Sequence, residues 1–496
     1  MPRFGHPVLA WVALSPLLAA LLLRRSGRAG SRPGALGAFS LGLIAGVVYF
    51  VGTTYWTGSV MRQYGDLHSV VATALMLALS AYLALYPAVF ALILDRVIAR
   101  VGARGMVLAP AVWVATEFGR GYLFTGFPWV SLGYSQATVL PVAQLASVCG
   151  VWGLSALVAL VNAALVLLVF DRTRVRWWLA AAAAVAVLVT VAWGSARLHD
   201  SALTREGVSL RVGLVQGNVS QDQKWSQARA GSIVQDYLDL TRRAAREGAR
   251  FILWPESALP FFFEEEPLAG AAVRRAAVET GTTLLVGSDQ IERAAPARYF
   301  NAAFLIDPAG NVAAVYRKVH LVPFGEYVPL KRLLFFAGPL IQAVSDFSEG
   351  DRIVMLPVAG HTASTAICYE VVYPDLAREA TRAGSELLTT ITNDAWFGRS
   401  SAAWQHFEMA SLRAIEQGRY LARAANTGIS GIIDPYGRVL VRSTLFEQAV
   451  LTGDVRFLTS QTIYARMGDT FAYACIVAAL AALALTIRSG KMKSEV

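Results

Sequence analysis

The sequence predicts a membrane protein with a water-facing domain of mixed α/β class inserted before its last span. Hydrophobic residues make up 55% of the chain and charged residues only 16%, more apolar than a soluble protein of 496 residues needs. The long apolar runs are confined to 1–195 and 471–487, and the residues between them alternate strand-like and helix-like patterns. We therefore divide the chain into a helical transmembrane base, 1–200, the α/β domain, 201–467, and a last span with a tail, 468–496.

Seven apolar segments are candidate membrane spans: 7–23, 35–55, 69–94, 105–118, 147–170, 177–195 and 471–487. A spanning helix needs about 20 apolar residues, so the fourth segment is short and is expected to extend towards Phe124. When the spans alternate in direction, the basic clusters beside them all fall on the side that the positive-inside rule assigns to the cytoplasm. The α/β domain and Met1 are then outside it, in the periplasm beyond a bacterial inner membrane.

The formal net charge of +10 does not indicate nucleic-acid binding, because the basic residues are concentrated beside the spans. The clusters are Arg24, Arg25, Arg28 and Arg32; Arg96, Arg100 and Arg104; Arg172, Arg174 and Arg176; and Arg488, Lys491 and Lys493. Clusters in such places set membrane topology. We therefore expect a lipid bilayer, and no nucleic acid, as the partner of these charges.

The α/β domain follows a regular order of strands and helices. Strands are predicted at 208–219, 251–254, 283–288, 300–306, 312–316, 361–367, 387–392, 429–433 and 438–442, and helices at 227–248, 268–279, 375–383 and about 402–424. Two hairpin turns, Asp307-Pro308-Ala309-Gly310 and Asp434-Pro435-Tyr436-Gly437, join neighbouring strands. Strands separated by helices predict a layered domain.

Two polar segments follow apolar strands, where α/β sheets hold their sites. Glu256 comes directly after Trp254-Pro255, behind the strand Phe251-Ile252-Leu253. Lys318 and Glu326 lie in a loop whose prolines and glycine restrict its backbone and fix the direction of both side chains. Each segment also has a simpler interpretation, Glu256 as a helix N-cap or surface acid and Lys318 as part of an exposed basic pair.

Cys368 ends an apolar, strand-like run and is followed by Tyr369 and Glu370. The other two cysteines, Cys149 and Cys475, fall within predicted spans, so Cys368 is the only thiol of the α/β domain and no disulfide framework exists. A buried structural thiol is the commoner role of a single cysteine. The polar run Thr392-Asn393-Asp394 ends the next strand and is expected beside Cys368, although an Asx turn would also explain it.

These segments supply the residue types that thiol catalysis requires. A thiol has a pKa of roughly 8.5 and must lose its proton to attack a carbonyl group, and a carboxylate can accept that proton. The oxyanion that forms then needs donors, which an ammonium group and the backbone N–H after the nucleophile can provide. A neighbouring lysine also favours the thiolate.

Other site types find little support in the sequence. The histidines that could pair with the cysteine are His320, His361 and His406, and none lies in a segment like that of a papain-type protease. The chain contains no GxSxG, HExxH, Walker A or Rossmann pattern. We therefore expect neither a metal nor a cofactor.

Eight runs resemble the apolipoprotein N-acyltransferase family, a bacterial membrane branch of the nitrilase, or carbon–nitrogen hydrolase, superfamily. They are WPESALP, KVHLVPFGEYVP, AICYE, TNDAWFG, WQHFEMASLRAIE, ANTGISGIIDPYG and, in the base, TGFPW with GYSQ. The resemblance covers nearly the whole chain. It implies a nitrilase-like α-β-β-α sandwich on a helical membrane base.

The resemblance also implies a two-step reaction and its substrates. A phospholipid, typically phosphatidylethanolamine, gives its sn-1 acyl chain to a cysteine, and the N-terminal amine of a diacylglyceryl-cysteine apolipoprotein accepts it, which is the last step of lipoprotein maturation. Matched residue by residue, Cys368 is the nucleophile, Glu256 the general base and Lys318 the oxyanion stabiliser. Supporting residues are Glu326, Tyr369, Glu370 and Trp225. We expect a monomer.

The chain departs from the family in its number of spans. The family has eight, with both termini in the cytoplasm, and 7–23 resembles its second, so its first span has no counterpart here. We also expect the apolar runs Phe261-Phe262-Phe263 and Leu333-Leu334-Phe335-Phe336 to dip into lipid or to pack in the core.

Two other functions are considered. A membrane-anchored amidase would use the same residues to hydrolyse a small amide, but six spans before the domain are more than an anchor needs. A transporter would need several ionisable residues in its spans, where Glu117 is the main one. Acyl transfer is therefore the leading hypothesis.

Overall fold

The computed structural model describes residues 6–25, 34–224, 227–327 and 346–491. The chain separates into two compact units, one formed by Ser201–Ala465 and the other by Met1–Asp200 with Arg466–Val496. The two units are described in turn.

The first unit is helical. Its longer helices span Ser15–Arg25, Ala35–Thr54, Trp56–Tyr64, Ser69–Val101, Ala109–Tyr122, Ala146–Phe170, Val175–Asp200 and Thr470–Lys491, and short ones span Ala10–Ala13 and Leu140–Ala143. Within the described residues, five helical stretches are long and apolar enough to cross a membrane, and Thr470–Thr486 is a shorter apolar helix. Each predicted span therefore coincides with helical residues.

One predicted span begins at the wrong residue. The prediction started it at Gly105, but Gly102–Leu108 forms a tight 3-10 stretch and the α-helix begins at Ala109. The break has a local cause, because Gly102 adopts a φ of 66° and ends the preceding helix. The helix continues to Tyr122, as the expected extension towards Phe124 requires.

A buried ion pair accounts for the acidic residue among the spans. Glu117 and Arg120 lie 3.9 Å apart on one helix. Arg120 donates to the carbonyl oxygens of Phe127 and Trp129, at 2.6 and 2.8 Å, and Glu117 accepts from the N–H of Leu132 at 2.7 Å. Both charges thus hold the loop that carries the TGFPW run, which gives Glu117 a structural role.

The second unit contains two six-stranded sheets. The strands are β1 (Val208–Gln216), β2 (Phe251–Leu253), β3 (Thr283–Glu292), β4 (Arg298–Ile306), β5 (Val312–Arg317), β6 (Leu356–Val358), β7 (His361–Ile367), β8 (Leu387–Thr392), β9 (Leu421–Ala425), β10 (Gly431–Ile433), β11 (Val439–Arg442) and β12 (Ala449–Phe457). The first sheet has the order β12-β1-β2-β3-β4-β5, and the second has the order β11-β10-β9-β8-β7-β6. The central strands β1, β2 and β3 run parallel, as do β7, β8 and β9.

The two sheets pack face to face. Alternate residues of β1, such as Val212 and Leu214, lie in one core with Ile367 and Ile391 of the second sheet, because successive side chains of a strand point to opposite faces. Val215 belongs instead to a second core that contains Tyr237 and its helix.

Helices cover both outer faces. They span Gln227–Arg246 and Pro267–Thr280 on the side of the first sheet, and Pro374–Arg382 and Ala402–Gln417 on the side of the second. The short helix Gln221–Lys224 lies at the strand ends, where Gln221 contacts Asn393. A further short helix spans Ile463–Met467. This layer order confirms the predicted α-β-β-α sandwich.

The predicted long helix at 402–424 is confirmed as far as Gln417 and is wrong beyond it. The helix ends at Gln417, Gly418 caps it with a φ of 64°, and Leu421–Ala425 forms β9 in the middle of the second sheet. The run LARAA has good helix formers, but its place between β8 and β10 overrides that preference. The strands β6 and β12 were also missed.

The run Phe261-Phe262-Phe263 packs mainly within its own domain. Phe263 is buried against Phe304, with ring centroids 5.0 Å apart, and Phe261 packs on the same core. The structure therefore favours core packing for this run. The second run, Leu333-Leu334-Phe335-Phe336, lies outside the described residues.

Candidate active site

Glu256 lies in a loop that follows β2 and rests on β3. Gly287 of β3 makes this possible, because a Cβ there would lie 2.1 Å from the carbonyl oxygen of Pro255. The N–H of Ala258 donates to the carbonyl of Gly287 at 2.8 Å. Glu256 itself is 6% exposed, so it is neither a surface acid nor a helix cap.

Lys318 follows β5 and lies between two carboxylates. Its Nζ is 2.9 Å from Oε1 of Glu326 and 3.5 Å from Oε1 of Glu256. The side-chain amide of Asn301, on the neighbouring β4, donates to both of the same oxygens, at 2.7 Å to Glu256 and 2.9 Å to Glu326. Lys318 is 1% exposed, so this ammonium group is a buried cation and not an exposed one.

The buried charges of this group stabilise one another. Burial alone would raise the pKa of Glu256, but Lys318, Asn301 and Lys224 outweigh it and hold the pKa below the usual range. Burial alone would lower the pKa of Lys318, but Glu326 and Glu256 raise it above the usual range. Both groups therefore stay ionised near neutral pH.

A sharp turn at the end of β7 presents Cys368. Its φ is 53°, in the left-handed region that non-glycine residues rarely adopt. The short 3-10 helix Cys368–Val372 begins at the same residue. The turn from strand to helix agrees with the predicted position of the cysteine, and a strained residue at such a turn is typical of a functional site.

The thiol of Cys368 remains protonated at rest. Burial and the carboxylate of Glu256 raise its pKa, while Lys318 lowers it by a smaller amount. The lysine thus acts in the expected direction, but it does not make the thiolate the resting form. A base is therefore needed before the sulfur can attack.

Glu370 ties the turn at Cys368 to the segment that follows Lys318. One carboxylate oxygen accepts from the hydroxyl of Tyr316 at 2.8 Å and from the N–H groups of Val319 and His320 at 2.6 and 3.1 Å. The other accepts from the N–H of Ile367 at 2.6 Å. Because Glu370 is fully buried, this side chain fixes the predicted nucleophile relative to the predicted cation.

The end of β8 lies beside both the thiol and Glu256. The side chain of Thr392 lowers the pKa of Cys368 slightly, against the larger effect of burial, and the N–H of Asn393 donates to Oε2 of Glu256 at 2.8 Å. The segment was expected next to Cys368, because β8 pairs in parallel with β7. Its backbone contact with Glu256 was not foreseen.

The three histidines do not form a Cys–His pair through the thiol. His406 contacts the carbonyl oxygen of Cys368, 3.1 Å from its Nε2. His320 packs on Tyr373 with ring centroids 4.0 Å apart, and burial lowers its pKa to about 4. His361 pairs with Glu386 at 2.7 Å, at the opposite end of β7 from Cys368.

A second lysine lies next to the site and was not predicted. Lys224 is 3% exposed, and its Nζ donates to the carbonyl oxygen of Glu256 at 3.4 Å. Burial lowers its pKa to about 8, against the opposing effects of Glu256 and Asp289. Asn301 and Lys224 gave no sequence signal, because the residues that they contact are distant in the chain.

Of the predicted supporting residues, Tyr369 is buried beside His320 and Tyr373. Trp225 lies outside the described residues. Among the residues that the structure describes, no group of three or more His, Cys, Asp or Glu side chains could hold a metal ion.

Two facing sheets with a carboxylate, a lysine and a cysteine at their strand ends define the carbon–nitrogen hydrolase class. The family model described as carbon–nitrogen hydrolase matches residues 211–464, and that described as the apolipoprotein N-acyltransferase N-terminal domain matches 1–164. An amidase from Nesterenkonia sp. is similar to 54% of this chain and 97% of its own, at 21% identity and a TM-score of 0.41.

Curated relatives extend the match to nearly the whole chain. The apolipoprotein N-acyltransferase of Geobacter metallireducens is 41% identical, covering 98% of this chain and 92% of its own. That of Methylococcus capsulatus is 37% identical, covering 94% and 90%. The chain belongs to the apolipoprotein N-acyltransferase family. It is a membrane protein and an acyltransferase, and the resemblance of its sequence runs to this family is confirmed.

Proposed function

We propose that this enzyme moves an acyl chain from a phospholipid, through a thioester on Cys368, to the N-terminal amine of a diacylglyceryl-cysteine apolipoprotein. The observation that carries the proposal is a buried, protonated thiol beside an ionised carboxylate that a lysine holds in place. Such a pair suits a nucleophile that is activated only when substrate arrives. Family membership supports the acyl acceptor.

In the first half-reaction the sulfur of Cys368 attacks the ester carbonyl carbon. Glu256 takes the thiol proton as the S–C bond forms, and the C–O bond to the glycerol then breaks. The departing oxygen receives the proton from Glu256, so a lysophospholipid leaves and an acyl thioester remains. The low pKa of Glu256 keeps it ionised and ready for the first transfer.

In the second half-reaction the neutral amine of the apolipoprotein attacks the thioester carbon. Glu256 takes a proton from the amine, the C–S bond breaks, and the sulfur recovers the proton. The amide product leaves, and the enzyme returns to its resting state with Cys368 protonated. The same carboxylate therefore serves as base and then acid in both halves.

Lys318 and the N–H of Tyr369 are proposed to bind the oxyanion of each tetrahedral intermediate. A lysine with a raised pKa keeps its charge throughout, and a preorganised cation stabilises developing negative charge without reorganising. Glu326 anchors the ammonium group at 2.9 Å. Glu370 and Tyr369 support the turn at the nucleophile, and Trp225 is proposed as a supporting residue because it matches an aromatic residue of the family.

The surroundings of the reaction follow from the same proposal. Basic clusters beside the spans support an inner-membrane protein with 201–467 in the periplasm, between a base at 1–200 and a last span at 468–496. Lipid and apolipoprotein are its partners, and a monomer is the proposed state. Both substrates are amphiphiles, which a domain tethered to the bilayer can reach.

The test is a search for the acyl adduct. Purified enzyme is incubated with phosphatidylethanolamine, and the peptide that contains Cys368 is analysed by mass spectrometry. A hydroxylamine-sensitive acyl group on Cys368 is expected, and Cys368→Ala should carry none. The absence of an adduct on the wild-type enzyme, or acyl transfer that persists in Cys368→Ala, would refute the proposal.

A further inference from the structure

A buried polar cluster lies behind the turn at Cys368 and has no part in the reaction described above. Its members are His406, Asp394 and Arg423, which are at most 1% exposed. Asp394 lies 2.8 Å from Nη2 of Arg423 and 3.0 Å from Nδ1 of His406. Gly428 leaves room for the carboxylate, because a Cβ there would lie 2.2 Å from Oδ2 of Asp394.

One member of the cluster, His406, contacts the backbone of the proposed nucleophile, Cys368. Nε2 of His406 lies 3.1 Å from the carbonyl oxygen of Cys368. Since a carbonyl oxygen only accepts hydrogen bonds, Nε2 carries a proton and donates it. Burial and Arg423 lower the pKa of His406, so the ring acts here as a fixed donor.

The direction of this carbonyl decides the direction of the next N–H. The peptide bond between Cys368 and Tyr369 is trans, and in a planar trans peptide the C=O and the N–H point to opposite sides. A donor that holds the carbonyl of Cys368 therefore also aims the N–H of Tyr369. It polarises that N–H as well, because hydrogen bonds in a chain strengthen one another.

We propose that His406 is a positioning residue for the oxyanion site: Nη2 of Arg423 donates to Nδ1 of the ring at 3.0 Å and holds it in place, and Asp394 in turn holds Arg423. The inference rests on the proposed function, since it assigns the N–H of Tyr369 to the oxyanion. On the other side of the turn, Glu370 holds the N–H of Ile367 at 2.6 Å. The strained residue is thus fixed from both sides, by one acceptor and one donor.

The test compares two reactions of the same sulfur in the full-length, detergent-solubilised enzyme. Acylation of Cys368 by p-nitrophenyl butyrate passes through an oxyanion, whereas alkylation by iodoacetamide does not. Both rates are followed by mass spectrometry of the Cys368 peptide. Removing one oxyanion donor costs roughly 100- to 1,000-fold in rate, and a misdirected donor should cost less.

For His406→Leu we expect acylation to fall by about 10- to 100-fold, with alkylation within about threefold of wild type. His406→Gln, whose amide can reach the position of Nε2, should restore most of the acylation rate. His361→Leu is the matched control, a histidine paired with an acid at the far end of β7, and should change neither rate. If His406→Leu does not melt cooperatively, His406→Asn replaces it, since its amide is too short to reach the carbonyl.

A parallel fall of both rates would mean that His406 only supports the fold and would overturn the inference. So would an acylation rate that does not change. Failure of the proposed function is distinguishable, because wild-type enzyme would then form no acyl adduct on Cys368 from the ester or from the phospholipid.

Discussion

The two sheets of the α/β domain hold their parts of the site in different ways. The first sheet contributes charged groups, Glu256 and Lys318, which with Glu326 form a buried network joined by the amide of Asn301. The second sheet contributes a neutral thiol at a strained backbone turn. Charge balance fixes the first group, and backbone hydrogen bonds fix the second.

This difference predicts how each half of the site should fail. A buried charge whose partner is removed is costly, because it can neither pair nor reach water. Substitutions in the first sheet should therefore lower both the activity and the stability of the enzyme. A change at His406, behind the thiol, leaves the buried Asp394–Arg423 pair in place, so it should alter the direction of a backbone group and lower the activity with little loss of stability.

Removal of the cation should have the largest effect. Lys318→Met removes the proposed oxyanion cation and leaves Glu256 and Glu326 without their counter-ion, so we expect Cys368 acylation to fall by more than about 1,000-fold. The melting temperature should fall too, since an unpaired buried charge costs roughly 3–5 kcal/mol. Adding Glu326→Gln should recover part of the stability and none of the activity. Full recovery of activity in the double variant would contradict the role of Lys318.

Loss of the proposed base, Glu256, should have the next largest effect. Glu256→Gln keeps the shape of the side chain but cannot take the thiol proton, so acylation should fall by about 100- to 10,000-fold. The rate of acylation is measured by mixing the enzyme with a phospholipid donor, stopping the reaction at set times and determining the acylated fraction of Cys368. Glu265→Gln is the control, because Glu265 forms only a half-exposed ion pair with Arg293, and it should retain wild-type activity. A thioester that forms at the normal rate in Glu256→Gln would exclude this residue as the base.

The side-chain amide of Asn301, which joins Glu256 to Glu326, should have a smaller effect on activity. Asn301→Ala removes donors from Glu256 and Glu326 but leaves both pairs with Lys318, so we expect a loss of roughly 10-fold in acylation, equal to about one charge-assisted hydrogen bond. Asn301→Asp should lose more, because a third carboxylate would raise the pKa of Glu256. A larger loss of acylation in Asn301→Ala than in Asn301→Asp would contradict this role of Asn301. Asn311→Ala, in the exposed turn after β4, serves as the control.

The last effect concerns the pH dependence of stability, with no change in the reacting groups. Burial raises the pKa of Glu370 to about 7. When the pKa of a carboxyl group is higher in the folded state than in the unfolded state, the group stabilises the fold fully at a pH below its unfolded-state pKa. That stabilisation is lost as the pH rises to the folded-state pKa. Relative to Glu370→Gln, the wild type should lose up to about 3 kcal/mol between roughly pH 4.5 and 7 and little more above it. Melting temperatures of the wild type and of Glu370→Gln, measured across this pH range, give the difference in stability. If both proteins show the same dependence on pH, the raised pKa of Glu370 is contradicted.

Sequence patterns predicted the residues that end strands, because an apolar run followed by a polar residue is a local signal. Glu256, Lys318 and Cys368 are of this kind, and the structure brings them together. The contacts that hold them are not local. Asn393 meets Glu256 across the sandwich, and His406 reaches Cys368 from a helix, so neither could be paired from spacing alone.

Single strands were missed where the tertiary structure overrides the local helix or strand preference of the sequence. LARAA was predicted as helix because alanine, leucine and arginine favour it, yet these residues form β9. β12 pairs with β1 from more than 230 residues away, a distance over which no periodicity carries information. Glu256, Lys318 and Glu326 were visible in the sequence, but Lys224 and the amide and backbone groups that hold these charges were not.

The most direct test of the account follows the acyl group after it reaches Cys368. The acyl-enzyme is freed from donor lipid and mixed with a diacylglyceryl-cysteine peptide, and mass spectrometry then follows the Cys368 adduct and the peptide together. The account predicts that N-acyl peptide appears as fast as the thioester is lost, in equal amounts. Acyl peptide that forms while the thioester remains, or a thioester lost only to free fatty acid, would contradict it.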